Sequence, residues 1–296
     1  MLAIVLTLAV LLLQVPDHAY SAKLPPSPPP DTSISFPPFS NRTLLCQFDK
    51  SVGLPANIIC KSSDPPGQII FSNDDDVISV RYQYRKPVAL WKKGSPYAAS
   101  FSTQFTVQFH RDAERSVKRV FGGGLAFAIT PTIDVGSSGP ESFGLFPIED
   151  STGKPAGGRN TKTVAVEIDT SRDVTYSWDP PIPHVGLDIN SVNSVASRYL
   201  WDGPSFVDRK IAVFIDYDAC RHRLEVRFQN VTANGKPNKS KSKLWLSYDG
   251  LDLAASVNEL SYVGFSSRVP VTTDGVYFLY DWKFSTKWVL AKGSKH

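Results

Sequence analysis

Sulfur and imidazole are scarce in this chain: 296 residues carry one methionine, three cysteines and five histidines. Three cysteines allow at most one intrachain bridge, so no disulfide framework can hold the fold. Past the N-terminal end no apolar run is long enough to cross a bilayer, which excludes a second membrane span. There is no Gly-x-Ser-x-Gly elbow, no internal repeat and no long stretch of helical period. Charge of one sign is missing too. The 32 Lys and Arg stand against 28 Asp and Glu, the small surplus is spread along the chain, and the lysine-rich run 236–243 reads as a solvated loop. No nucleic-acid partner is expected.

What is abundant is period-two alternation. Phe101, Thr103, Phe105, Val107 and Phe109 alternate with Ser102, Gln104, Thr106 and Gln108. Ile78, Val80, Tyr82 and Tyr84 alternate with Ser79, Arg81 and Gln83, and Leu224, Val226 and Phe228 with Arg223, Glu225 and Arg227. Such runs describe half-buried strands with one face toward a core. Many of them, punctuated by Gly, Pro, Asn and Asp, predict an all-β fold of the sandwich or jelly-roll type. A chain of this length can bury a large core.

The ends set the compartment. Residues 1–21 carry the apolar run LAIVLTLAVLLL and then small residues, with Ala19, Tyr20 and Ser21 ahead of a cleavage point. This reads as a secretory signal peptide, although the usual positive start is missing; for a membrane anchor, the competing reading, the run is too short. Residues 22–33 form a Pro-rich arm and 289–296 a short basic tail. A secreted, soluble protein without stable membrane insertion follows. An oxidising compartment suits a disulfide between Cys46 and Cys60, the alternative being two buried thiols, and it leaves Cys220 as a lone thiol in a strand turn. It also suits N-glycosylation at the sequons of Asn41, Asn230 and Asn238.

The chemistry concentrates in residues 164–188, VAVEIDTSRDVTYSWDPPIPHVGLD. Val164, Val166 and Ile168 share one strand face, so Glu167 and Asp169 stand side by side on the other. Pro-rich turns then fold the chain back and bring Asp179 and His184 within reach of that face. Three carboxylates and an imidazole suit a divalent metal such as Mn²⁺, with a Ca²⁺ able to share the oxygens. For Glu167 or Asp169 alone a solvated strand edge is the better reading. The whole set, with its turns, points to a metal.

VAVEIDT and WDPPIPHVGLDINSVNS resemble the metal-binding segment of the legume-type (L-type) lectins, a group that also supplies the ectodomains of plant lectin receptor kinases. RKPVALW (85–91), ASFSTQFTVQF (99–109), GGGLAFAITPT (122–132), FGLF (143–146), VFIDYD (213–218), ELSYVGFSS (259–267) and LYDWKFST (279–286) follow the family in order. The resemblance spans residues 34–288 and implies a concanavalin A-like jelly-roll sandwich of antiparallel sheets. It further implies that Glu167, Asp169, Asp179 and His184 hold Mn²⁺ and that Ser194 bonds a water of its shell. Asp169, Asp179, the Ser171 backbone carbonyl and Asp173 would hold Ca²⁺. Asp173 stands where the family has Asn, and the loop 169–179 is one residue longer than usual.

In the family the metals fix a loop so that an Asp, a Gly amide and an Asn meet the sugar hydroxyls above an aromatic ring. All four positions are altered here, to Gly123, Glu141, Asp173 and Ser171 respectively. Loss of the carboxylate removes most of the usual monosaccharide binding. Trp178, Glu141, Asp173 and Asp274 are the groups from which a rebuilt site would draw. Laminarinase-type glucanases share the sandwich, but they need a second Glu shortly after Glu-x-Asp; Thr170, Ser171 and Arg172 stand there instead, so hydrolysis is not expected. The expectation is a secreted, apoplastic lectin-like protein, not an enzyme, that binds glycans or glycoproteins through a metal-supported loop site, with a homodimer through the flat back sheet open to it. The alternative is a lectin-fold protein-interaction or defence module that has lost simple sugar binding.

Overall fold

A computed structural model describes residues 27–36, 39, 44–48, 68–71, 78–111, 123–133, 142–146, 160–171, 180, 182–200, 206–232, 235–269 and 275–291, with the backbone alone at 44–48, 78, 111 and 269. Two antiparallel sheets account for nearly all of it. The back sheet runs in the order β1 (Ser33–Phe36), β15 (Gly275–Leu290), β6 (Tyr97–Arg111), β11 (Lys210–Asp218), β12 (Arg223–Val231) and β13 (Lys243–Asp249), with β3 (Ile69–Phe71) also on β15. The front sheet runs β10 (Ala196–Tyr199), β9 (His184–Ile189), β8 (Val164–Asp169), β7 (Gly124–Thr130), β14 (Leu260–Val269), β4 (Ile78–Tyr84) and β2 (Leu44–Phe48), with β5 (Val88–Ala89) on β14. Among the described residues the α-helix is a single turn, Leu253–Ser256, capped by the Asp252 carboxylate accepting from the Ala255 amide at 3.1 Å. None of their helices is long and apolar enough to cross a membrane.

The alternation in the sequence explains the sandwich. Phe101, Phe105, Val107 and Phe109 of β6 face inward, as do Leu224, Val226 and Phe228 of β12 and Leu125, Phe127 and Ile129 of β7, and all are buried. The two sheets meet through aromatic edges. Phe105 lies 4.9 Å from Phe265 and Phe265 lies 5.1 Å from Trp282, both edge-on, a geometry worth about 0.5–1.5 kcal/mol per pair beyond the area buried. The N-terminal arm joins at its last residues. Thr32 and Thr286 exchange hydrogen bonds at 2.8 and 2.9 Å, and the Asp31 carboxylate accepts from the Trp288 amide at 3.0 Å. β15 continues to Leu290.

The other face of the front sheet departs from a simple half-buried pattern. Ser79, Arg81 and Gln83 are as buried as Tyr82, and all six residues of β8 are buried. The reason is a second, smaller core. Ala126 and Ala128 of β7 and Ala165 of β8 form a shallow floor on which Phe143, Leu145, Phe146 and Val192 pack. The floor must be small because the turn lies directly on it. A Cβ added to Gly124 would come within 2.6 Å of the Phe143 ring.

Candidate functional site

Strands β8 and β9 pair with Asp169 opposite His184 and Glu167 opposite Gly186. Period-two alternation then puts His184, Gly186 and Asp188 on the same face as Asp169, Glu167 and Ala165. This face lies under the smaller core, so its charges are out of water. Glu167 is 1% exposed, His184 and Asp188 0%, and Asp169 8%.

The structure brings Glu167, Asp169, His184 and Ser194 together. His184 Nε2 stands 3.0 Å from Glu167 Oε1, and its Nδ1 stands 3.1 Å from the carbonyl of Ile182. A carbonyl only accepts, so Nδ1 carries a proton and donates it. Nε2 then has two states. Protonated, it forms an imidazolium–carboxylate pair inside the sheet. Unprotonated, it turns a lone pair on a carboxylate oxygen, which is repulsive unless a cation lies between them. In every arrangement a proton or a cation must lie between the two atoms. An Nδ1–H held by a backbone carbonyl is also the usual way a metal-ligating histidine is oriented.

Ser194 closes the group from the loop after β9. Its hydroxyl shares one proton between Glu167 Oε1 at 2.9 Å and Asp188 Oδ1 at 2.7 Å. Asp188 is a member the sequence reading did not single out, and alternation from His184 through Gly186 would have found it. Asp169 accepts from the Ser171 amide at 2.6 Å. Its carboxyl is pushed up to about 6, chiefly by burial; the neighbouring Glu167 charge adds to the rise, while His184 and the Ser171 hydrogen bonds oppose it. Among the described residues no three His, Cys, Asp or Glu side chains close on one cation position. Asp173 and Asp179, the remaining ligands implied by the resemblance, lie outside the described residues, as do Glu141, Trp178, Asp274, Asn41 and Cys60 and the side chain of Cys46. The donors that are described, buried carboxylates and an oriented imidazole, fit a divalent cation.

Next to this group lies the crest formed by the end of β8 and the start of β7. Gly123 has φ +90°. Its amide donates to Ser171 Oγ at 2.6 Å, and its carbonyl accepts from the Thr170 amide at 2.9 Å and the Thr170 hydroxyl at 2.7 Å. Two of the positions at which the resemblance places sugar contacts, Gly123 and Ser171, are thus bonded to each other. Thr170 was not foreseen; its hydroxyl also lies 3.3 Å from the Tyr277 hydroxyl. Because the left-handed region is open to glycine and strained for a Cβ, Gly123→Ala is expected to cost about 1–2 kcal/mol. Thermal denaturation in Mn²⁺ and Ca²⁺ checks this, with Gly123→Asn the milder change because Asn tolerates positive φ better.

Residues 47–295 match the legume lectin domain. A lectin of Glycine max is 31% identical over 208 residues, 70% of this chain and 64% of the relative. The L-type lectin-domain containing receptor kinase VIII.1 of Arabidopsis thaliana is 33% identical over 216 residues, 71% of this chain and 27% of the relative. The chain thus spans less than two thirds of either relative's length. Among solved structures, lectin II from Ulex europaeus superposes with a TM-score of 0.65 at 26% identity, covering 86% of this chain and 98% of that one.

Proposed function

This chain belongs to the legume lectin family, and from that premise we propose that it is a secreted glycan-binding protein whose crest is supported by Mn²⁺ and Ca²⁺. Lectins of the family bind carbohydrate, and the relatives it matches are lectins and lectin-domain receptor kinases. In this reading Glu167, Asp169, Asp179 and His184 would hold Mn²⁺, with Ser194 behind them. Asp169, Asp179, Asp173 and the Ser171 carbonyl would hold Ca²⁺. When bound, the cations supply the positive charge that buried carboxylates lack and hold their loop in one arrangement. The single observation that supports the reading is the His184 Nε2 to Glu167 Oε1 contact at 3.0 Å with Nδ1 already engaged by a carbonyl. Around it the chain's own groups do the positioning. Asp169 holds the Ser171 amide, and Ser171 holds the amide of Gly123.

The altered crest governs what is bound. No carboxylate stands at Gly123 to accept from two sugar hydroxyls, and the Gly123 amide is already spent on Ser171. Free mannose, glucose and galactose are expected to bind weakly or not at all, and recognition to need a larger glycan that reaches other loops. The same bond supports a second reading, a lectin-fold interaction or defence module without simple sugar binding. Secretion is supported by the exposed sequons: Asn230 and Asn238 are both at the surface. A glycan-array screen of the secreted protein, with and without EDTA, separates the two readings. Metal-dependent binding to one glycan class is the expected result. A folded, metal-loaded protein that is silent on the array would establish the interaction module instead.

A further inference from the structure

The front-sheet face that carries Glu167 and Asp169 continues beyond the small floor onto β14 and β4, where its character changes from acidic to basic. Across the register Glu167 faces Ala126, Ala126 faces Ser266, and Ser266 faces Arg81. Arg81 is 4% exposed and Ser266 0%. Both reach over the floor to the turn 142–146. The Arg81 guanidinium donates to the Gly144 carbonyl, and the Ser266 hydroxyl donates to the Phe143 carbonyl.

The turn needs this support. Phe143 and Gly144 are consecutive left-handed residues, at φ 52° and 70°, and a non-glycine residue there is strained. Among the described residues the turn is closed by a backbone hydrogen bond from the Leu145 amide to the Ser142 carbonyl at 2.8 Å. A guanidinium is also a costlier donor to bury than a neutral group, because its charge must be taken out of water. Its use here fits a task that a short neutral side chain on β4 cannot perform, reaching past β14 to the far side of the turn. The turn in its place abuts the crest. The Phe143 ring lies over Gly124, whose strand partners are Asp169 on one side and Arg268 on the other.

We propose that Arg81 is a positioning residue for glycan recognition: it holds the turn 142–146 against Gly124 and so sets the crest beside Gly123. The inference rests on the glycan-binding reading above. Arg81→Met keeps the stem and removes the donors, and Arg81→Lys restores one charged donor. Three readouts apply to each variant: amide exchange across 142–146, the Mn²⁺-induced melting shift, and signal on the glycan array. In Arg81→Met, exchange across the turn should rise about 10-fold, as loss of one charge-assisted hydrogen bond predicts. The Mn²⁺ shift should stay, array signal should fall about 10-fold or more, and Arg81→Lys should recover part of both losses. Unchanged exchange overturns the clamp. Raised exchange with a wild-type array profile overturns the positioning role. A wild-type protein silent on the array overturns the glycan reading itself, and the exchange arm then still decides the clamp separately. Should Arg81→Met fail to fold, Ser266→Ala, which removes the donor to Phe143, carries the same three readouts with the same expected directions.

Discussion

Gly186→Ala is expected to lower the melting temperature by roughly 6–12 °C and to abolish stabilisation by Mn²⁺. The reason lies in the pairing of β8 with β9. Gly186 sits directly opposite Glu167 and between His184 and Asp188 on the buried face. A Cβ built there would stand 2.1 Å from Ser194 Oγ and 2.5 Å from Glu167 Oε1. Neither neighbour is the loose end of a surface side chain. Ser194 is tied to Glu167 and Asp188, and Glu167 to His184, so relief of the clash must break the group that is proposed to hold the cation. Overpacking of a tight interior costs about 1–3 kcal/mol, and here lost polar contacts add to it. The double variant Gly186→Ala/Ser194→Ala tests the attribution. It removes the closer of the two clashing atoms and should recover about 1 kcal/mol relative to the single change, a coupling read from the double-mutant cycle. Additive losses in the two variants would show that the damage lies elsewhere.

The same strand pair shows how far the sequence could be read. The inward faces of β6, β7 and β12 follow from alternation alone, because an apolar stripe has only one place to go. Alternation does not say what covers the opposite face. Ser79, Arg81, Gln83 and Glu167 look like solvent-facing positions and are buried; on this face the turn 142–146 lays its own apolar residues on a floor of Ala126, Ala128 and Ala165 and takes the Arg81 guanidinium on its Gly144 carbonyl. The complementarity of small floor and large turn is visible only once both are placed. In the site, Glu167, Asp169 and His184 were legible from residue type and spacing. Asp188 lay on the same alternating face and was missed because nothing in its residue type marks it as more than a strand acid. The Ile182 carbonyl that orients His184 and the Thr170 and Ser171 bonds that fix Gly123 involve backbone atoms, and a sequence carries no signal for those.

In EDTA the protein is expected to lose stability as pH rises from about 4 to 7, and in Mn²⁺ and Ca²⁺ that loss should disappear. The cause is Asp169, whose carboxyl is pushed up to about 6 by burial. An unfolded aspartate titrates near 3.9. Between those two values the folded state binds a proton that the unfolded state has released, so the contribution is fully present below about pH 4 and is lost as pH rises through about 6. A shift of about two pH units corresponds to roughly 3 kcal/mol. A cation beside Asp169 takes the place of that proton, and metal stabilisation should therefore grow across the same window as the carboxylate becomes free to bind it. Melting curves at half-unit steps from pH 4 to 7.5, with and without metal, measure both slopes. Other carboxylates titrate over the lower part of this range, so Asp169→Asn is the control. It keeps an acceptor for the Ser171 amide, removes the titration, and should flatten the EDTA profile between pH 5 and 7 while halving or abolishing the metal response. An EDTA profile in Asp169→Asn that still falls as steeply as the wild type would move the buried proton to another group and leave Asp169 outside the site.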